Sequence, residues 1–427
     1  MSDEGDQDES GAGVTGMVEK LAKQEKMALN GDEAVAFAAK QSDVYVVAAY
    51  PITPQTIIVE RFSEYVANGE VQTEFICTES EHSALAACIA ASATGARTFT
   101  ASASAGLALM HEMLFVASGC RSPIVMAVAN RALSAPLNIH GDQSDSMAER
   151  DSGWIQVYVE NSQEAYDAII QAFRIAEDIG VLLPIIVGLD GFTLSHSLEN
   201  VEVLEDNAVK QFVGIRQLPD VLTHEGKNVP FRLDPDNPMT MGPIAFPNYY
   251  FEFKRQQEEA MKNALALIQK VNSDYAKISG RSYGNGLVHA YRLEDAEVAA
   301  VCVGSTAGTL KTIVDELRQE GIKAGLLRLR TFRPLPVEEL RSALENVKAL
   351  AVMDKSMSFG GDGGAVYHEV RHVLYDVKTR PHVVNYIYGL GGRDSSPREL
   401  RRIYEDLLHV LRVGRVEKPV HYLGLRE

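Results

Sequence analysis

The strongest constraint on this chain is a repeated alternation of short apolar runs with amphipathic helical stretches. Apolar runs fall at residues 44–49, 72–77, 98–102, 124–129, 155–159 and 182–188. Helical periodicity fills the gaps, as at 55–67, closed by Asn68-Gly69, and at 163–179, closed by Gly180. Asn30 followed by Glu33 reads as a capping box opening an earlier helix, with Ala34, Val35, Phe37 and Ala38 on its apolar face. Such alternation predicts an α/β fold, a parallel sheet covered by helices.

The rhythm fails between residues 205 and 290, where PFRLDPDNPMTMGPIAFPNYYF holds five prolines and no usable period. This reads as an irregular excursion followed by a charged helix over 254–271. The alternation then restarts, with strands expected at 298–303, 325–329, 349–353 and 382–386 and helices at 309–319, 337–344 and 397–411. At roughly 100–200 residues per domain, a chain of 427 residues has room for this division. The expected organisation is a disordered acidic tail over 1–26, a first domain over 27–290 and a smaller α/β domain over 291–427.

Charge and cysteine usage exclude several classes. Forty-one Lys and Arg stand against 58 Asp and Glu, a net charge of −17, whereas nucleic-acid and polybasic membrane binders need positive excess. No apolar stretch reaches the ~18 residues of a spanning helix, and the N-terminus MSDEGDQDES is acidic where a secretory signal is basic and then apolar. Cys77, Cys88, Cys120 and Cys302 are scattered without a C-x-x-C pair, which argues against a disulfide framework or an iron–sulfur cluster ligated by this chain alone. A cytoplasmic protein is expected.

In open α/β sheets ligands bind beyond the carboxyl ends of the strands. After the first strand comes Tyr50-Pro51-Ile52-Thr53-Pro54, in which Thr53 reads locally as a helix cap and Pro54 as a first helical residue. After the second comes Thr78-Glu79-Ser80-Glu81-His82, then an alanine-rich helix. Glu81 there is either a carboxylate favoured by the helix dipole or a functional acid, and His82 reads as a helix-start residue. After the 124–129 run comes Asn130-Arg131, whose guanidinium can fork onto a carboxylate or bridge to a neighbouring loop. Together, a hydroxyl, a carboxylate and a guanidinium are expected on one edge of one sheet.

Other motifs read as structural. Gly304-Ser305-Thr306-Ala307-Gly308-Thr309 could cradle an anion, but it lacks a P-loop Lys and reads as a strand–helix turn. Gly360-Gly361-Asp362-Gly363-Gly364 contains a Gly-Asp-Gly without a following Asn-Asn pair, only Asn385, so no metal site is assigned. Gly389-Leu390-Gly391-Gly392-Arg393-Asp394 reads as a backbone turn, and Asn138–Asp145, with His140 near two aspartates, as a structured loop or subunit contact.

Six stretches taken together resemble the alpha subunit of pyruvate:ferredoxin oxidoreductase, in the 2-oxoacid:ferredoxin oxidoreductase superfamily. They are YPITP (50–54), TESEHSALAA (78–87), TFTASASAGLALM (98–110), NIHGDQSD…RDSGWIQ (138–156), VGSTAGTLKTIVDELRQEGIKAGLLRLRTFRPLP (303–336) and YGLGGRD (388–394). The resemblance runs over residues 27–427 and implies a pyrimidine-binding thiamine-diphosphate domain followed by a transketolase C-terminal-like domain. It implies a beta partner supplying the diphosphate and Mg2+ site, 4Fe-4S clusters in partner subunits, and gamma and delta subunits beside them. Coenzyme A is the implied co-substrate and ferredoxin the electron acceptor.

Residue by residue, Glu81 matches the glutamate that hydrogen-bonds the aminopyrimidine ring, Thr53 the threonine facing the substrate, and Arg131 the arginine that binds its carboxylate. Pro51 matches backbone packed against the thiazolium. The implied reaction is oxidative decarboxylation of pyruvate with coenzyme A to acetyl-CoA and CO2, reversible as pyruvate synthesis. Thr53 argues against an oxalate-specific relative, which would carry a second arginine there. Subunits acting on 2-oxoisovalerate or 2-oxoglutarate remain the alternatives, and a non-catalytic nucleotide- or CoA-binding scaffold is the competing class.

Overall fold

A computed structural model describes residues 21–426. In the first half the strands are β1 (Gln24–Leu29), β2 (Val46–Ala49), β3 (Glu74–Cys77), β4 (Thr98–Ser102), β5 (Ile124–Asn130), β6 (Ile155–Tyr158), β7 (Ile185–Asp190) and β8 (Glu199–Leu204). The helices between them are α1 (Gly31–Gln41), α2 (Thr56–Ala67), α3 (Glu81–Ala93), α4 (Ser104–Leu109), α5 (His111–Gly119), α6 (Ser144–Ala148) and α7 (Ser162–Ala176). The chain continues through α8 (Asp206–Val213), the hairpin β9 (Asp220–Leu222) and β10 (Asn228–Pro230), and α9 (Tyr250–Ser279).

The second half contains β11 (Val288–Tyr291), β12 (Val298–Cys302), β13 (Ala324–Leu329), β14 (Thr331–Arg333), β15 (Ala349–Asp354), β16 (His382–Ile387) and β17 (Val420–Tyr422). Its helices are α10 (Thr306–Gln319), α11 (Val337–Leu344), α12 (Ala365–Val373) and α13 (Pro397–Val413).

Two parallel sheets carry the fold. The first runs β14-β6-β7-β5-β4-β2-β3 and is parallel except at β14; the second runs β11-β13-β12-β15-β16-β17 and is parallel except at β11. Residues on both faces of β5, β7, β12, β13 and β15 are buried, as expected for strands covered by helices on either side. The expected capping box forms: Asn30 accepts from Glu33 N, and Glu33 accepts from Asn30 N.

Several expectations shift. The tail expected to end at residue 26 overlaps β1, which begins at Gln24 and pairs antiparallel with β8 from Gln24↔Leu204 to Leu29↔Glu199. The first twenty residues lie outside the described ones. The strand expected over 182–188 starts later, at Ile185, because Pro184 breaks the run and Leu182 takes a positive φ of 42°. The excursion expected over 205–290 contains α8, the β9–β10 hairpin and a 30-residue α9, so only its centre is irregular. The second sheet already begins at Val288 rather than 291, and β14 leaves that half of the chain to pair with β6. Among the described residues no helix is long and apolar enough to cross a membrane.

The halves are joined by buried ions. Glu164, in the first turn of α7, accepts from Arg328 and Arg330, and all three side chains are within 1% of full burial. Burial opposes the charge of Glu164, but the two guanidiniums outweigh it and hold the carboxyl down at about 2.

Candidate active site

Strand order β5-β4-β2-β3 makes neighbours of four carboxyl ends, and each delivers one part of the site. Beyond β3, Ser80 caps α3 by accepting from Ser83 N, which places Glu81 at the first helical position. Glu81 is 6% exposed, yet its carboxylate has no hydrogen-bond or ion-pair partner among the described residues. It lies against Gly106 of α4, where a Cβ would overlap Glu81 Oε1 and sit 2.8 Å from Ser102 Oγ. Ser102 Oγ is itself buried without a partner among the described residues. Two unpaired oxygens around a glycine form a polar cradle that costs stability unless a ligand fills it.

Beyond β2, Thr53 is not a cap. Its peptide to Pro54 is cis, α2 starts at Thr56, and the cap position is Gln55 without a side-chain bond. Pro54 is therefore not the first helical residue either. The fully buried Gln55 amide instead ties this loop to Tyr50 O at 2.9 Å and Ala101 O at 3.3 Å. Pro51 and Thr53 are exposed, and the Thr53 hydroxyl makes no hydrogen bond among the described residues.

Beyond β5, Arg131 is 7% exposed and braced on two backbone carbonyls, from Nη1 to Thr53 O at 2.9 Å and from Nε to Asn138 O at 3.0 Å. Its Nη2 has no partner among the described residues, leaving donors for an anion. Asp145 locks this corner: one oxygen accepts from Ser104 N and Arg131 N, each at 2.9 Å, and the other from Asn130 Nδ2 at 2.8 Å and Ser146 N at 2.7 Å. Burial pushes its carboxyl up to about 6 despite those donors. Thr53 and Arg131 are thus in direct contact, and Glu81 connects to them through Gly106, Ser104 and Asp145.

The remaining motifs are occupied by the protein itself. At the start of α10 an anion is indeed held, but it is Asp190 of β7, which accepts from Ser305 N at 2.9 Å, Gln143 Nε2 at 3.1 Å and Lys355 Nζ at 2.9 Å. Burial opposes its ionisation, but Lys355 and Ser305 more than compensate and keep it below the usual range. With the Ser305 amide already bonded, α10 starts at Thr306, not at the expected 309. Asn385 bonds Gly364 N, Val352 O and Asp354 beside the Gly-Asp-Gly turn, which is a structural task. His82 lies 3.6 Å from Glu112, His140 packs on Phe192, and no metal-binding cluster is present among the described residues.

A family model described as pyruvate flavodoxin/ferredoxin oxidoreductase, thiamine diphosphate-binding, matches residues 37–273, more than half the chain. The chain belongs to this family. A second model, pyruvate:ferredoxin oxidoreductase core domain II, matches residues 296–400 of this oxidoreductase family member. Pyruvate synthase subunit PorA of Methanocaldococcus jannaschii is 52% identical over 88% of this chain and 93% of the relative. The PorA subunit of Thermotoga maritima is 49% identical over 94% and 99%. Ketoisovalerate oxidoreductase subunit VorA of Pyrococcus horikoshii is 42% identical over 94% and 98%. Among solved structures, a 2-oxoglutarate:ferredoxin oxidoreductase from Magnetococcus marinus aligns with a TM-score of 0.70 at 19% identity, over 90% of this chain and 66% of that one. That likeness supports the shared α/β fold.

The signals that sequence reading missed are Gly106, inside TASASAGLALM, and Asp145, at the end of NIHGDQSD. Gly106 sits in an Ala-rich run where Gly has no helical advantage, which is a trace of close approach. Asp145 left no local trace, because apart from the adjacent Ser146 amide its donors, on Ser104, Asn130 and Arg131, lie 14 to 41 residues away.

Proposed function

We propose that this chain is the subunit of a multi-subunit pyruvate:ferredoxin oxidoreductase that carries the pyrimidine half of the thiamine diphosphate site. The observation that carries the reading is the buried Glu81 carboxylate, without a partner among the described residues and packed on Gly106. The overall reaction is pyruvate plus coenzyme A plus two oxidised ferredoxins giving acetyl-CoA, CO2, two reduced ferredoxins and a proton, and its reverse is pyruvate synthesis.

Bound thiamine diphosphate supplies the nucleophilic carbon and the electron sink for decarboxylation. Glu81 supplies the charge that holds a proton on the pyrimidine ring nitrogen, in a pocket where no donor among the described residues competes for it. Arg131 offers Nη2 to the 2-oxoacid carboxylate, and its bond to Thr53 O fixes where the Thr53 hydroxyl faces the substrate. Pro51, exposed beside Thr53, offers backbone against which the cofactor packs. Partner subunits complete the site: a beta subunit with the diphosphate and Mg2+ half, and gamma and delta subunits, with 4Fe-4S clusters taking the two electrons one at a time. None of these groups is ligated by this chain in the proposal.

Identities of 42–52% to pyruvate synthase subunits, reaching above that to the ketoisovalerate subunit, favour pyruvate, and the ketoisovalerate subunit at 42% keeps 2-oxoisovalerate as the second reading. The test is dye reduction by the anaerobically purified complex, dependent on coenzyme A, with pyruvate, 2-oxoisovalerate and 2-oxoglutarate compared. Fastest reduction with pyruvate is expected, and another preference would correct the substrate. Glu81→Gln should abolish turnover in an intact complex; full turnover by that variant would sink the mechanism and favour a scaffold.

A further inference from the structure

We infer that the second sheet takes part in substrate binding: the glycine turn after β16 sets the position of the Arg131 guanidinium through the side chain of Asn138. The inference rests on the proposed role of Arg131 as the carboxylate ligand.

Arg131 Nε donates to Asn138 O at 3.0 Å, so the plane of the guanidinium follows wherever residue 138 is held. Residues 134–137, 139 and 140 are exposed, so no core packing holds this stretch in place. Beyond Ala132 N to His140 O at 3.1 Å and the His140 ring on Phe192, what holds it are bonds to the other half of the chain. Asn138 Nδ2 donates to Gly391 O at 3.0 Å, and Gly391 N donates to Asp142 Oδ2 at 3.0 Å, which pins the loop at two points four residues apart. Gln143 N adds a third, to Lys355 O at 2.8 Å. Asn138 Oδ1 meanwhile accepts from His140 N at 2.8 Å, which fixes the amide so that Nδ2 points at the turn.

The fit requires glycine. Gly391 and Gly392 take φ of 62° and 74°; a Cβ on Gly391 would overlap Asn138 Nδ2, and one on Gly392 would overlap His140 Cβ. Two sequence motifs that read separately as a turn and a loop, YGLGGRD and NIHGDQSD, are therefore the two faces of one clasp. Asn138 touches neither substrate nor cofactor in this account. It is a positioning residue, acting only through Arg131.

The test is steady-state kinetics of the assembled complex with pyruvate varied at saturating coenzyme A. Asn138→Asp removes the Nδ2 donor and sets a carboxylate oxygen against Gly391 O, while keeping the backbone carbonyl that Arg131 uses. Gly391→Ala breaks the same contact from the far side. Each should raise KM for pyruvate roughly three- to tenfold, the worth of one neutral hydrogen bond, with kcat and KM for coenzyme A changed less than about twofold. A double variant, Arg131→Ala with Asn138→Asp, should bind pyruvate no worse than Arg131→Ala alone, which a general loosening of the fold would not produce. An unchanged KM in Asn138→Asp beside a raised one in Arg131→Ala would overturn the clasp alone, as would additive effects in the double variant. An unchanged KM in Arg131→Ala would overturn both the clasp and the role of Arg131.

Discussion

The carboxylate of Glu81 occupies the space that a side chain on Gly106 would need. Helix α3 brings the acid to the carboxyl edge of the sheet, and α4, entering beyond β4, closes on it only because residue 106 has no Cβ.

Gly106→Ala tests that relationship. Alanine suits a helix better than glycine, so the fold and the assembly should survive, while the added methyl displaces Glu81 or α4. A displacement near 1 Å at a catalytic group costs roughly a hundredfold. The expected result is a fall of that order in kcat, with an intact complex by gel filtration. Wild-type kcat would show that the contact has no part in catalysis.

If Arg131 binds the 2-oxoacid as proposed, Arg131→Ala removes a charge-assisted bond to the substrate carboxylate, worth about 1.5–3 kcal/mol. KM for the 2-oxoacid should rise roughly ten- to a hundredfold, more than kcat falls. Arg131→Lys should recover only part of this, because an ammonium cannot also brace Thr53 O and Asn138 O in the fork geometry.

Binding of the 2-oxoacid should weaken as pH falls through about 6. Burial raises the Asp145 carboxyl to about 6, above its ordinary 3.8, so it is ionised at pH 7 and gains a proton just below neutrality. The substrate carboxylate stays ionised over that range, so the change reports the protein. Protonation weakens the oxygen that accepts from both Ser104 N and Arg131 N. KM for pyruvate measured from pH 7.5 to 5.5 should climb in the native complex. In Asp145→Asn it should start high and stay flat. A native KM that does not vary over the range would refute the assignment.

Acid stability should depend on Glu164. Its folded carboxyl lies near 2 and its ordinary value is 4.5, a depressed pKa, so its contribution to stability is fully present above pH 4.5. That contribution is lost as pH falls from there through 2. Glu164→Gln should lower the thermal midpoint at pH 6 and flatten its dependence between pH 5 and 3. Glu164→Ala should cost about 3–5 kcal/mol, because it strands Arg330 as a buried charge and leaves Arg328 only Glu160, 3.4 Å away. Equal acid sensitivity of native and Gln forms would exclude this triad as the cause.

Local sequence determined the parts of the site that follow strands directly. An apolar run sets a strand, the residues after it must lie at the sheet edge, and Thr53, Glu81 and Arg131 each follow such a run. The capping box at Asn30 is readable in the same way, and the one the structure shows at Ser396 is equally local, since cap and partner lie three residues apart. Thr53 was misread as a cap because Thr-Pro before a helix has the right composition, while the loop is set by the remote bonds of Gln55 to Tyr50 and Ala101.

Only tertiary structure decided the rest, for one physical reason: the deciding partners are far apart in the chain and chemically ordinary. Asp190 reaches Ser305 across 115 residues and fills the anion position that GSTAGT offers. Asn138 reaches Gly391 across 253 residues. The pairing of β14 with β6 likewise depends on where the sheets meet, since Thr331–Arg333 carries no signal that separates one sheet from the other. Periodicity and strand ends fixed which side chains face the site, because those are properties of neighbouring residues. The positions of those side chains depend on close contacts between distant backbone and amide groups, which no local pattern encodes.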